Sequence, residues 1–226
     1  NPQAVIDQPS QFDFYDGGGL DLAILGMAQT DRHGNLNVSK FGPRLAGAGG
    51  FINISQSAKS VVFVGTFTVG NMIVAFSNGQ IAIRQEGDTR KFVSDVEHRT
   101  FSGTESLRRG QRVLYITERC VFELTPDGVE LIEVAPGVDI ERDILAHMEF
   151  KPVIRGTPRL MDPRIFGDEP MGLRATIVTT PLESRFHFDM DQNIFFIDFE
   201  NMRLRSMDDI ERIRSLIEQL LAVHVV

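Results

Sequence analysis

Three glycines within four residues, Gly47-Ala48-Gly49-Gly50 ahead of Phe51, are where this 226-residue chain could do chemistry with its backbone alone. With no side chain in the way, N–H groups can converge on an anion, or on the oxyanion that develops during acyl transfer. A lone Gly-x-Gly-Gly is a weak signal, since most such runs are tight turns. A second cluster, Gly17-Gly18-Gly19 before Leu20-Asp21, reads first as a turn that places a strand and only second as a phosphate cradle. The dinucleotide spacing Gly-x-Gly-x-x-Gly, the P-loop Gly-x-x-x-x-Gly-Lys-Ser/Thr and the Gly-x-Ser-x-Gly elbow do not occur.

Other chemistry-bearing side chains are isolated. His33, beside Asp31 in a turn, could act as a general base, but a lone turn histidine more often bonds its own loop. His98, His147, His187 and His224 are scattered, without the paired spacing of a metal site, so no metal is expected. Ser39, Ser55, Ser57 and Ser60 have no nucleophile context. Cys120 reads as a small buried hydrophobe. Glu118, at a strand end, reads as the ion-pair partner of Arg119 or another cation. Phe186, Phe188, Phe195, Phe196 and Phe199 read as core strand residues, because base stacking would call for interleaved basic residues.

The elements that must hold the glycines follow from apolar runs. Residues 20–28 read as a buried strand, Asp31 to Asn35 as a turn, and Leu36 to Ser39 as a short returning strand. Ser55 to Lys59 reads as a brief helical turn feeding a strand over 60–65. Residues 71–85 read as a hairpin closed by Asn78-Gly79. Strands are expected at Arg112–Thr117, Cys120–Leu124 and Val129–Val134. Ile140 to Met148 has helical spacing, capped by Asp139. The expected fold class is α/β, an open mixed and largely parallel sheet with a small α+β C-terminal appendage. From about residue 155 glycine and proline punctuate a linker-like stretch. Beyond it a hairpin turning through Asp191-Gln192 and an amphipathic helix over 206–221 are expected.

Composition excludes broad classes. A net charge of −8 argues against a general nucleic-acid surface, and no apolar run is long enough to span a bilayer. One cysteine precludes an internal disulfide and fits a reducing compartment, so the expected location is cytoplasmic. Asn1-Pro2-Gln3 without an initiator methionine, and the apolar 222–226 end, read as a fragment or processed half.

Taken in order, several blocks resemble the C-terminal half of class I coenzyme A transferases of the acetate/propionate type. The blocks are Gln11 to Asp21, Asp31-Arg32-His33-Gly34-Asn35, Lys40-Phe41, Gly47 to Asn53, Ile116 to Phe122, Glu130 to Val138 and Asp143-Ile144-Leu145, within roughly residues 1–172. The resemblance implies transfer of CoA from an acyl-CoA to a carboxylic acid through a glutamyl-CoA thioester, with coenzyme A as substrate and no permanently bound cofactor. It implies that the N–H of Gly50 donates to the oxyanion, that Gly47 and Gly49 shape the turn, and that Gln11 contributes to the substrate or CoA pocket. The family's nucleophilic glutamate falls upstream of Asn1, so it would come from the N-terminal half of the enzyme, on the same or a separate polypeptide. Residues 1–155 are then the C-terminal (β-type) CoA-transferase domain, 156–175 a linker and 176–226 an incomplete appendage. The resemblance also implies a homo-oligomer. The competing readings are a non-catalytic CoA-binding or assembly module of the same fold and, more weakly, a sugar-phosphate isomerase on a related fold.

Overall fold

The computed structural model describes residues 4–173, 185–189, 194–199, 204 and 206–224. Contacts divide the chain into two units, Asn1–Glu169 and Pro170–Val226.

The first unit opens with helix α1 (Gln8–Asp16), capped by the Asp7 side chain on the Ser10 amide, with Pro9 in the first turn. Gly17 to Gly19 close it as a turn, Gly18 at φ 82°. Strand β1 (Leu22–Gly26) leads through two small antiparallel ladders (29–30 with 36–37, 40–41 with 44–45) to helix α2 (Phe51–Ser57). Strand β2 (Ser60–Val64) follows, then the hairpin β3 (Ile73–Ser77) and β4 (Gln80–Gln85), whose Asn78-Gly79 turn has positive φ at both residues. Helix α3 (Gly103–Arg108) precedes a meander of β5 (Arg112–Ile116), β6 (Cys120–Thr125) and β7 (Gly128–Val134). A two-residue strand β8 (Arg159–Leu160) closes the sheet, whose order is β1-β2-β5-β6-β7-β8. The β1–β2, β2–β5 and β7–β8 pairings are parallel and the two within the meander antiparallel, so the sheet is mixed and largely parallel.

Alternation along the strands sends Ala23, Val61, Phe63, Val113, Tyr115 and Phe122 to one face, where α2 supplies Phe51 and Ile54. On the other face Ile81 of the hairpin packs with Val121, Ala135, Met161 and Phe166. The Gly- and Pro-rich stretch after 155 therefore does more than connect, since it adds β8 to the sheet and Phe166 to this second core. Leu22 and Ile24 of β1 and Val64 of β2 are exposed.

The expected helix over 140–148 is present but not as a regular α-helix: a π-helix over Ile140–Ile144 is followed by a 3-10 helix over Leu145–His147. Asp139 caps it as expected, on the Arg142 amide. The ladder breaks because the Asp143 carbonyl accepts from Arg119 at 2.8 Å and the Asp143 carboxylate turns back to the Asp139 amide.

In the second unit β9 (Phe186–Asp189) pairs antiparallel with β10 (Ile194–Ile197), and the expected turn at 191–192 lies outside the described residues. Phe196 is half exposed rather than a core residue, because it falls with Ile194 on the exposed face of the hairpin; Phe199, beyond the end of β10, is half exposed as well. Helix α4 (Met207–His224) starts with a reciprocal cap between Ser206 and Asp209. Among the described residues no helix is long and apolar enough to cross a membrane.

Cys120 is fully buried, and burial pushes its thiol far above the ordinary value. Iodoacetamide should leave it unmodified in the native protein and alkylate it completely in denaturant, as read by intact mass.

Candidate functional site

The glycine run lies where the chain leaves the small ladders beyond the C-terminal end of β1 and enters α2, the connection between two parallel strands. Open α/β sheets bind ligands at such strand ends. Ser39 starts the loop. Its carbonyl accepts from the amides of Ala46 at 2.7 Å and Gly47 at 3.1 Å, closing the segment between them. Its buried hydroxyl meets His98 Nδ1 at 2.7 Å and Thr100 Oγ1 at 2.9 Å, while Thr100 Oγ1 also accepts from the Val38 amide. Asn37 Oδ1 accepts from the Ser39 and Lys40 amides, and Glu97 accepts from Gly42.

Ser39 has no nucleophile context in the sequence, and its part in the loop is played mainly by its carbonyl, which no residue type reveals. Ser39→Ala should cost about 1 kcal/mol, the worth of ordinary buried hydrogen bonds. It should also speed hydrogen exchange at the Ala46 and Gly47 amides, measured by peptide-resolved mass spectrometry.

The three glycines are glycine for different reasons. Gly47 (φ 82°) and Gly49 (φ 54°) adopt left-handed backbone with open space around them, so conformation requires them. Gly50 has an ordinary φ of −84°, but a Cβ there would lie 2.6 Å from Phe12 Cζ and 2.9 Å from Cε1. Close approach of α1 requires it. The Gly50 carbonyl accepts from the Ile54 amide and starts α2; among the described residues no acceptor pairs with the N–H of Gly49 or Gly50. Gln8, Pro9 and Phe12 of α1 face Gly49 and Gly50 across an open cleft of about 330 Å³. Asn53 of α2 donates to both carboxylate oxygens of Asp16 at 3.0 Å, tying the two helices together.

Gln11 lies on the same helix but does not line this cleft; its amide donates to the Tyr15 hydroxyl. His33 is exposed, and its amide donates to Asp31, whose buried carboxylate also receives the amide and side chain of Asn35. Asp31 thus organises the turn. Among the described residues no cluster of three or more His, Cys, Asp or Glu could hold a metal ion.

A second polar assembly lies at the far ends of β4 and β5. Arg119 is wholly buried and ion-pairs with Glu86 and Glu118, its guanidinium 4.7 Å above the Phe67 ring. Glu118 also accepts from the Phe67 amide at 2.8 Å, and Glu86 from Thr68 Oγ1 at 2.8 Å. The ion pair read from the adjacent Glu118 and Arg119 is present; Glu86, 33 positions away, was not legible as its third member. Burial pushes the Glu86 carboxyl up, but bonds from Arg119 and Thr68 outweigh it and hold it below the usual carboxylate range.

No protein-family model matches the chain. It is 49% identical over 172 residues to acetate CoA-transferase YdiF of Escherichia coli K12, covering 76% of this chain and 32% of that protein. It is 48% identical over 178 residues to caffeate CoA-transferase of Acetobacterium woodii, covering 76% of this chain and 34% of that protein. The structure of the E. coli O157:H7 acyl-CoA transferase YdiF in its thioester complex with CoA superposes with a TM-score of 0.74 at 49% identity, covering 76% of this chain and 34% of that one. The chain thus spans about a third of the length of the curated relatives it matches. Over this common region sequence and fold agree, and there the chain is similar to coenzyme A transferases.

Proposed function

We propose that this chain is the C-terminal, oxyanion-binding part of a short-chain acyl-CoA:carboxylate CoA-transferase of the acetate/propionate type. The observation that carries this reading is the glycine loop itself, in a chain 49% identical to an acetate CoA-transferase, with the N–H of Gly50 unclaimed by any acceptor among the described residues. Coenzyme A is the substrate, and the nucleophilic glutamate comes from the N-terminal half, upstream or on a partner chain. The relatives are three times as long as the matched region, which leaves ample length for that half.

In this reading the glutamate carboxylate attacks the acyl thioester carbonyl. The oxyanion of the tetrahedral intermediate takes the Gly50 N–H as it forms, and the C–S bond breaks to give an acyl-glutamyl anhydride and CoA thiolate. The thiolate then attacks the glutamyl carbonyl, releasing the first carboxylate and leaving a glutamyl-CoA thioester. An incoming acid reverses both steps. Gly47 and Gly49 set the loop, and Gln11 acts through α1, where it braces Tyr15. The enzyme works as a homo-oligomer in the cytoplasm.

The alternative, a CoA-binding module without catalysis, draws on Glu86 and Glu118, both engaged by the buried Arg119 rather than free to attack a thioester. Incubating the full-length native protein with acetyl-CoA, trapping with borohydride and measuring denatured mass separates the two. A reduced glutamyl adduct supports the transferase. CoA binding with no adduct and no transfer to a second acid would sink it in favour of the binding module.

A further inference from the structure

The side chain nearest Gly50 across the cleft is Phe12. Its ring edge occupies the space a Cβ on Gly50 would take, and on the other side Ile54 Cδ1 lies 3.4 Å from the same point. The ring is held in place: Tyr15 packs edge-on at 5.4 Å between centroids and 64° between planes, and the Asn53–Asp16 contact fixes α1 against α2. The immediate surroundings of the Gly50 backbone are therefore apolar and aromatic, within a cleft whose other helix-side walls are Gln8 and Pro9. A substrate whose carbonyl oxygen reaches the Gly50 N–H must set its acyl substituent within a few ångströms of this ring.

We infer that Phe12 is a specificity-determining residue, a wall that limits the acyl group beside Gly50 to short ones. The inference rests on the function proposed above and deepens it. A rigid ring leaves a two- or three-carbon acyl group in van der Waals contact and forces a longer chain to displace packed atoms. One methylene of misfit in such a pocket is worth about 10–200-fold in kcat/KM.

The test uses the full-length native protein and its Phe12→Ala, Phe12→Leu and Phe12→Trp variants, with acetyl-CoA and hexanoyl-CoA as alternative donors to one fixed acid. In Phe12→Ala the hexanoyl/acetyl ratio of kcat/KM should rise at least about tenfold, with a smaller rise in Phe12→Leu and a fall in Phe12→Trp. A merely structural ring would lower both donors together and leave the ratio unchanged, which overturns the inference. If Phe12→Ala does not fold, the opposite shifts of the leucine and tryptophan variants carry the same test. Absence of transfer from either donor in the unmodified protein would overturn the proposed function instead, so the two failures are told apart.

Discussion

Gly50→Val should lower turnover of the full-length enzyme by roughly 10²–10³-fold, the usual effect of losing one oxyanion donor. The backbone at Gly50 has an ordinary φ, so valine introduces no torsional strain there. Its effect is steric. A Cβ at this position lies 2.6 Å from Phe12 Cζ, and the two branching methyls force either the ring or the loop to move. Moving the loop misplaces the Gly50 N–H, and the loss should fall on kcat and kcat/KM together, as for an interaction made in the transition state. Combining a milder Gly50→Ala change with Phe12→Ala should recover most of the loss seen in Gly50→Ala alone, because the contact is removed. Steady-state kinetics on the set decides it. Near-normal turnover in Gly50→Val would remove Gly50 from the site.

Arg119→Met should destabilise the protein by about 3–5 kcal/mol, the cost of stripping one partner from a buried ion cluster. The lower end is expected, since Glu86 and Glu118 keep part of their surface in water. Arg119 joins the residue after the hairpin (Glu86), the β5–β6 turn (Glu118) and the carbonyl of Asp143, so its loss frees three segments at once. For a unit of this size the melting temperature should fall on the order of 10 °C. The unsubstituted protein should show a related pH dependence. Glu86 sits below its ordinary value of 4.5 when folded, so its contribution is complete above that pH and drains away as pH falls through the lower folded value. Denaturant unfolding of both proteins at neutral and acid pH measures this; an unchanged midpoint in Arg119→Met would show the cluster to be dispensable.

The main strands β1 to β7 were legible because most are short apolar runs bounded by turn residues, and the Asn78-Gly79 hairpin because its turn chemistry is local; the two-residue β8 and the 40–41/44–45 ladder were not, being too short to carry a pattern. Helix α1 was not. Its residues, Gln-Pro-Ser-Gln-Phe-Asp-Phe-Tyr-Asp, form no apolar stripe, and none of them is buried. Only its cap, Asp7 on the Ser10 amide, is written in the sequence. That helix supplies half of the cleft, so the contact between Phe12 and Gly50, 38 positions apart, emerged only in three dimensions. The helical spacing over 140–148 gave the helix but not its type: a distant arginine takes the Asp143 carbonyl that a regular α-helix would have used. The special standing of Gly47 to Gly50 came from family resemblance, since spacing alone allowed a plain turn. The backbone then separates those glycines into two that need left-handed φ and one that yields room.

Strand β1 borders the sheet as Leu-Ala-Ile-Leu-Gly, without a charge, a proline or a bulge, and Ile24 is 65% exposed. Soluble proteins blunt their sheet margins with such devices, because a bare row of amides and carbonyls is a template for further pairing. Prepared as an isolated 226-residue polypeptide, this segment should consequently be limited by colloidal behaviour before it is limited by thermodynamics. Strands from neighbouring molecules would stack onto β1, and solubility would fall as protein concentration rises.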